Sequence, residues 1–224
     1  MPSSPKKKPP SVTLAVEDVS RKPQQGRSKA SLERMLAAAR ELMLERGSEE
    51  FTLQEVSRRG KVSIGSIYLR FDSKDNLVRA VIGNTLDDVS GEEATMLSAL
   101  ERECASLGEF VPRYVERYAE VLRRNAALLR LSMERAAYDP LVSGPGKDHA
   151  LRATSAGTEA MLRYRDEIGG DDGELKARSA YHVIFATLAR QLSLGSTYES
   201  ADGYNWNQLK RELGRMCLAY LRAA

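Results

Sequence analysis

The sequence predicts an all-α protein. Three observations lead there. From Ser31 onward apolar residues return at spacings of three and four, short stretches begin with side chains suited to capping a helix, and no sustained alternating run would make a strand.

The first helix is read from Leu32, Met35, Leu36, Ala39, Leu42 and Met43, which share one face, with Gly47 as its stop. A second, short helix follows. Thr52 as N-cap and Glu55 three residues on form a capping box, with Phe51 and Val56 placed to staple across it. Gly60-Lys61 interrupts it, and Ser63 caps a third helix in which Val62 and Ile67 take the same staple positions. Ile67, Tyr68 and Phe71 lean inward in this reading, and Ile64, Leu69 and Arg70 point outward. Ser73 caps a fourth helix through Leu77, Val78, Val81, Ile82 and Leu86, with Asp75 in its first turn, where a negative charge favours the helix dipole.

Beyond Gly91 the text stays helical, in segments near 92–104, 107–124, 126–138, 148–168, 174–194 and 206–222. Gly108, Asp139-Pro140, the run Ser143 to Gly146, Gly169-Gly170 and Gly203 separate them. Pro112 is expected to kink any helix begun at Ser106.

Composition narrows the function classes. At 224 residues and 42% hydrophobic, the chain can bury a substantial core. No apolar run reaches the roughly 18 residues of a membrane helix, and no signal core follows Lys6-Lys7-Lys8, so a cytoplasmic protein is expected. Cys104 and Cys217, the only cysteines, suggest neither a disulfide framework nor a zinc site, and no metal or cofactor is expected. The net charge of +3 is unevenly spread: residues 1–80 hold 16 Lys and Arg against 10 Asp and Glu, and the rest hold 18 against 21. That basic excess points to a polyanion partner for the first third. Residues 1–28, with five of the eight prolines, read as a disordered basic arm from whose end Arg27 and Lys29 can reach a phosphate or a minor groove.

Two short capped helices joined by a tight turn and backed by a longer one make a helix-turn-helix. The second can enter a major groove and present its N-terminal residues to base edges. Gly65 lets the backbone approach closely, and Ser63 and Ser66 offer hydroxyls near the positive helix end. Tyr68 can aim its hydroxyl at the DNA backbone, while Ile64, Leu69 and Arg70 remain to read sequence.

The segment from Ser31 to about Asp88 resembles the N-terminal domain of the TetR family of bacterial transcriptional regulators. The resemblance runs through LERMLAAARELMLERG, FTLQEVSRRG and VSIGSIYLRFDSKDNL. It implies a DNA-binding domain over 29–75, a linking helix over 73–89, a ligand-binding and dimerisation domain over 76–224, and a homodimer whose ligand controls DNA affinity. By position, Thr52, Ser63, Tyr68 and Lys74 would hold phosphates, and Ile64, Gly65, Ser66, Leu69 and Arg70 would face bases. Two departures stand out. The family usually has Ala-Gly before Val-Ser, where this chain has Gly60-Lys61, so either Lys61 is left-handed, at about 1 kcal/mol, or the turn is shaped differently. Arg70 stands where His is common.

Two broad apolar faces end the chain: Tyr181, Ile184, Phe185, Leu188 and Leu192, then Leu209, Leu213, Met216, Cys217, Tyr220 and Leu221. Alone they read as core; the resemblance favours a two-fold four-helix bundle between subunits. Tyr114, Tyr118, Met133, Tyr138, Tyr164, His182 and Phe185 are candidates to line a ligand cavity, although each also suits a core. The expected function is a ligand-released repressor acting as a homodimer on palindromic double-stranded DNA, with an unknown small-molecule effector. A ligand-independent architectural DNA binder is the alternative. An enzyme in the helical domain is disfavoured, because no nucleophile elbow, phosphate loop or metal-ligand spacing is found.

Overall fold

The computed structural model describes residues 26–194 and 205–224, with side chains from residue 29 onward. Among the described residues the only regular structure is helical: α1 (Gly26–Arg46), α2 (Leu53–Gly60), α3 (Ile64–Arg70), α4 (Lys74–Glu103), α5 (Leu107–Ala136), α6 (Pro140–Leu162), a 3₁₀ turn (Arg165–Glu167), α7 (Gly173–Gln191) and α8 (Trp206–Arg222). No helix there is long and apolar enough to cross a membrane.

Helix α1 begins at Gly26, five residues before Ser31, because neither glycine nor proline interrupts the stretch from Arg27 to Ser31. Apart from its last three residues, the arm expected over 1–28 lies outside the described residues. Gly47 ends α1 at φ +60°. Met35, Ala39, Leu42 and Met43 then close with Phe51, Val56, Ile67 and Phe71 into the core of a small three-helix head.

Three helices of the body run past breaks expected from the sequence, where packing offsets the local signal. Helix α4 runs unbroken through Gly91, whose cost of about 1 kcal/mol is set against the burial of Val89, Met96 and Leu100 on one face. Helix α5 passes both Pro112 and the gap expected at 125. Pro112 removes a single backbone donor, and Gly214 of α8 seats so closely on it that an added Cβ would stand 3.2 Å from the Pro112 Cα. Asn125 turns its amide inward, donating to the Val121 carbonyl at 3.0 Å and to the Glu92 carboxylate at 3.1 Å. Helix α6 begins at Pro140, a favoured first position, and continues through Pro145, which is buried with Val142.

The body packs α4 and α6 along α5, α7 along α6, and α8 along α5. Buried Lys210 fixes α8 to α5 by donating to Glu116 at 2.6 Å and Glu120 at 2.7 Å. Asp172 caps α7 through the Leu175 amide at 2.8 Å. The apolar faces of the last two helices divide. Tyr181, Ile184, Leu188, Leu213, Cys217 and Leu221 are buried inside this chain, so they belong to its own core. Leu175, Val183, Met216 and Tyr220 are exposed.

Candidate DNA-binding surface and ligand cavity

The helix-turn-helix is fixed by local chemistry. Thr52 and Glu55 cap each other: the Thr52 backbone N–H donates to Glu55 at 2.7 Å, and the Thr52 hydroxyl accepts from the Glu55 N–H at 3.3 Å. The guanidinium of Arg46, ion-paired with Glu55, holds that carboxyl down at about 2, with the Thr52 bonds adding to the effect. At the other end of α2, Lys61 takes φ 50° and ψ 48°, the left-handed conformation. Gly60 has a separate purpose, since an added Cβ would meet the Arg34 carbonyl of α1 at 3.0 Å. The Ser57 hydroxyl donates to the Val62 carbonyl at 2.6 Å and pins the turn.

Ser63 caps α3, accepting from the Ser66 N–H at 3.1 Å, and the two hydroxyls lie 2.7 Å apart. Gly65 is exposed, with nothing within 4 Å of the position its Cβ would take. Leu69 is 71% exposed and Tyr68 53% exposed. Tyr68 therefore stands further out than the inward lean expected of it. Ile64 is half-buried against the head core. Arg70 departs from its expected outward direction: it is only 8% exposed. As the last residue of a seven-residue helix it lies on the rotation that turns toward the neighbouring core, close to Phe71. Lys74 donates to the Glu49 carbonyl at 2.7 Å and sits over the Phe51 ring, tying α4 to the head. Thr52 and Lys29 are exposed. The side chain of Arg27 lies outside the described residues.

A cavity of about 360 Å³ opens in the body between α4, α5, α6 and α7. Four of the seven expected residues meet there: Tyr118, Met133, His182 and Phe185. Tyr114 is buried outside the lining, stacked between Phe110 and Tyr118 at centroid distances of 5.6 Å and 5.4 Å. Tyr164 is elsewhere, donating to the Cys104 carbonyl at 2.9 Å. Tyr138 is exposed beside Arg135. The lining also holds Glu93, His149 and Tyr181, which the sequence reading did not single out for it. Glu93 carried a readable signal, a charge on the apolar face formed by Val89, Met96 and Leu100. Tyr181 and Tyr118 share a hydroxyl hydrogen bond of 3.1 Å. The His149 Nδ1 lies 2.9 Å from the Ser90 hydroxyl, and burial pushes the pKa of this imidazole down.

Residues 35–81, which cover most of α1, all of α2 and α3 and the start of α4, match the family model of bacterial regulatory proteins, tetR family. That head is a DNA-binding domain of the TetR family type. Similarity to solved structures supports the fold of the whole. A protein assigned to the TetR family from Mesorhizobium loti aligns with TM-score 0.64 at 19% identity, over 88% of this chain and 96% of that one. A transcriptional regulator from Cytophaga hutchinsonii gives 0.62 at 16% identity, over 87% and 100%. One from a Rhodococcus species gives 0.60 at 19% identity, over 85% and 95%. No curated protein matches the chain. Head and body are joined by charge as well as by α4. Arg135, at the end of α5, donates to Glu49 of the head at 2.7 Å, to Asp75 of α4 at 2.9 Å and to Asp139 at 2.8 Å. Arg79 of α4 donates to the same Asp139 oxygen at 2.8 Å.

Proposed function

We propose that the protein is a transcriptional repressor, acting in the cytoplasm as a homodimer on a palindromic operator and released by a small molecule held in the body cavity. The head is residues 29–75 and the body 76–224, joined over 73–89. Leu69, Ser66, Gly65 and Ile64 meet the major groove, and Thr52, Ser63, Tyr68, Lys74 and Lys29 hold the phosphate backbone. Arg70, turned from solvent, leaves the set of base readers. The exposed Leu175, Val183, Met216 and Tyr220 form the subunit contact.

The observation that carries this reading is the position of Arg135. It lies one turn beyond Ser132 and beside Ala136, both in the cavity wall, and its guanidinium holds the head through Glu49. A molecule that displaces this part of α5 changes the support under the head. Such a molecule can shift the DNA equilibrium only by its differential affinity, so an inducer binds the DNA-incompetent form better. Pairing is required because two reading helices spaced about 34–36 Å apart can meet successive major grooves.

The test is a mobility-shift titration with duplexes recovered from genomic fragments by selection on the protein. Release of a retained duplex by a small molecule is expected; a panel that leaves DNA affinity unchanged counts against the reading. Sedimentation of a single 24.8 kDa chain at all concentrations counts against the dimer.

A further inference from the structure

We infer that the body cavity is built for a lipophilic cation, an ammonium carried on an aromatic or alicyclic framework, with Glu93 as its counter-charge and the rings of Tyr118, Tyr181 and Phe185 as its walls. The inference rests on reading this cavity as the effector site.

Glu93 lines the cavity and is only 9% exposed. No cation or hydrogen-bond donor among the described residues is paired with its carboxylate. Asp139, the other buried carboxylate among the described residues, is satisfied by Arg79 and Arg135, and the part-exposed Glu120 and Glu92 are paired as well, Glu120 with Lys210 and the Trp206 indole at 2.9 Å and Glu92 with Arg124 and Asn125. An unpaired carboxylate in an apolar enclosure is costly and either stays protonated or awaits a positive partner. Here the enclosure also supplies ring faces, with Tyr181 and Phe185 parallel at 6.4 Å, and aromatic faces attract organic cations. The volume of about 360 Å³ suits a compact organic molecule. The basic groups of the wall do not favour an anion. Lys147 and His182 are exposed to water, and His149 is bonded to Ser90 and held toward its neutral form.

Burial, with the neighbouring charge of Glu92, pushes Glu93 up to about 7. A permanent cation should pull its proton off, so affinity should rise between about pH 6 and pH 8. The other groups facing Glu93 are Glu92 on α4, Tyr114 and Tyr118 on α5, Lys147 and His149 on α6, and Tyr181 and His182 on α7. Burial raises all three tyrosines, which stay neutral across this range. The variant His182→Asn isolates the exposed imidazole.

The experiment is calorimetric titration of the full chain with benzyltriethylammonium, neutral N,N-diethylbenzamide and anionic 4-tert-butylbenzoate. At pH 8 the cation is expected to bind best. Glu93→Gln should weaken it roughly tenfold or more and flatten its pH profile, while His182→Asn should keep that profile. Unchanged affinity of the amide for Glu93→Gln would show that the cavity is intact. Equal cation binding by wild type and Glu93→Gln, no cation binding, or a preference for the amide or benzoate overturns the inference. The same probes added to a protein–duplex complex separate the two readings. Glu93-dependent cation binding that leaves DNA affinity unchanged removes the effector role and keeps the ligand class. Release of DNA by the amide or benzoate but not by the cation does the reverse.

Discussion

Arg135 Nη1 and Glu49 Oε2 lie 2.7 Å apart, joining the last turn of α5 to the loop that precedes α2. Arg135 is buried and faces three carboxylates, so its removal strands Asp139, itself buried, with Arg79 alone and leaves Glu49 and Asp75 without it. Arg135→Leu should lower the unfolding free energy by about 3 kcal/mol. Glu49→Gln should cost about 1 kcal/mol and weaken the link between effector and DNA binding. Urea unfolding measures the first effect, and duplex affinity with and without effector measures the second. Equal coupling in Glu49→Gln and wild type would remove the role assigned to this contact.

The turn of the helix-turn-helix offers a pair of opposite effects. Thr52→Ala deletes the hydroxyl that caps α2 and should cost about 1 kcal/mol, read from a thermal or urea transition. Lys61→Gly relieves a left-handed residue and should add up to about 1 kcal/mol in the same measurement. A destabilised Lys61→Gly protein would mean that the lysine side chain contributes more than its backbone costs.

Exposure separates the roles of Leu69 and Arg70. Leu69→Ala touches little within the chain and should change stability by less than about 0.5 kcal/mol, while altering the ranking of duplexes in a binding panel. Tyr68→Phe should weaken all duplexes alike, since a phosphate contact carries no sequence information. Arg70→Ala should lose stability first. Identical duplex rankings for Leu69→Ala and wild type would show that Leu69 does not read bases.

Glu93 makes stability depend on pH in the direction opposite to a paired carboxylate. Its folded value of about 7 lies above the ordinary 4.5, so the folded state holds a proton that the unfolded chain has already lost. Its contribution is neutral below the ordinary value, and stability falls as pH rises from about 4.5 through 7. At pH 8 the loss is about 3 kcal/mol, at roughly 1.4 kcal/mol per pH unit. Glu93→Gln should therefore be more stable than wild type at pH 8 and nearly equal at pH 5. Parallel urea transitions at both pH values would contradict the burial of an unpaired carboxyl.

The head was readable because its signals are local. A cap and its partner stand three residues apart, as Thr52 with Glu55 and Ser63 with Ser66, and Val62 with Ile67 staples one turn. At Lys61, the departure from the family pattern, the sequence left two shapes open, and the left-handed one is found. The body was readable only as helix. Whether Gly91, Pro112 or Pro145 breaks a helix is decided by what packs on it, and Gly214, the partner of Pro112, is distant in sequence. The cavity follows the same division: periodicity can place Tyr118 and Phe185 on inward faces, but it cannot tell that Tyr114, one turn away from Tyr118, sits behind the wall. The rotation of Arg70 at the end of a seven-residue helix was equally out of reach.

Both thiols of this chain are buried, Cys104 beneath the α4–α5 turn and Cys217 between α8 and α5. Burial pushes Cys217 up to about 11, leaving at neutral pH about one molecule in ten thousand as the reactive thiolate. That sulfur is correspondingly inert toward alkylating reagents and peroxide. A thiol engineered onto the open surface of α2 or α3 would outcompete it for maleimide, so the head can carry a spectroscopic label without deletion of Cys217.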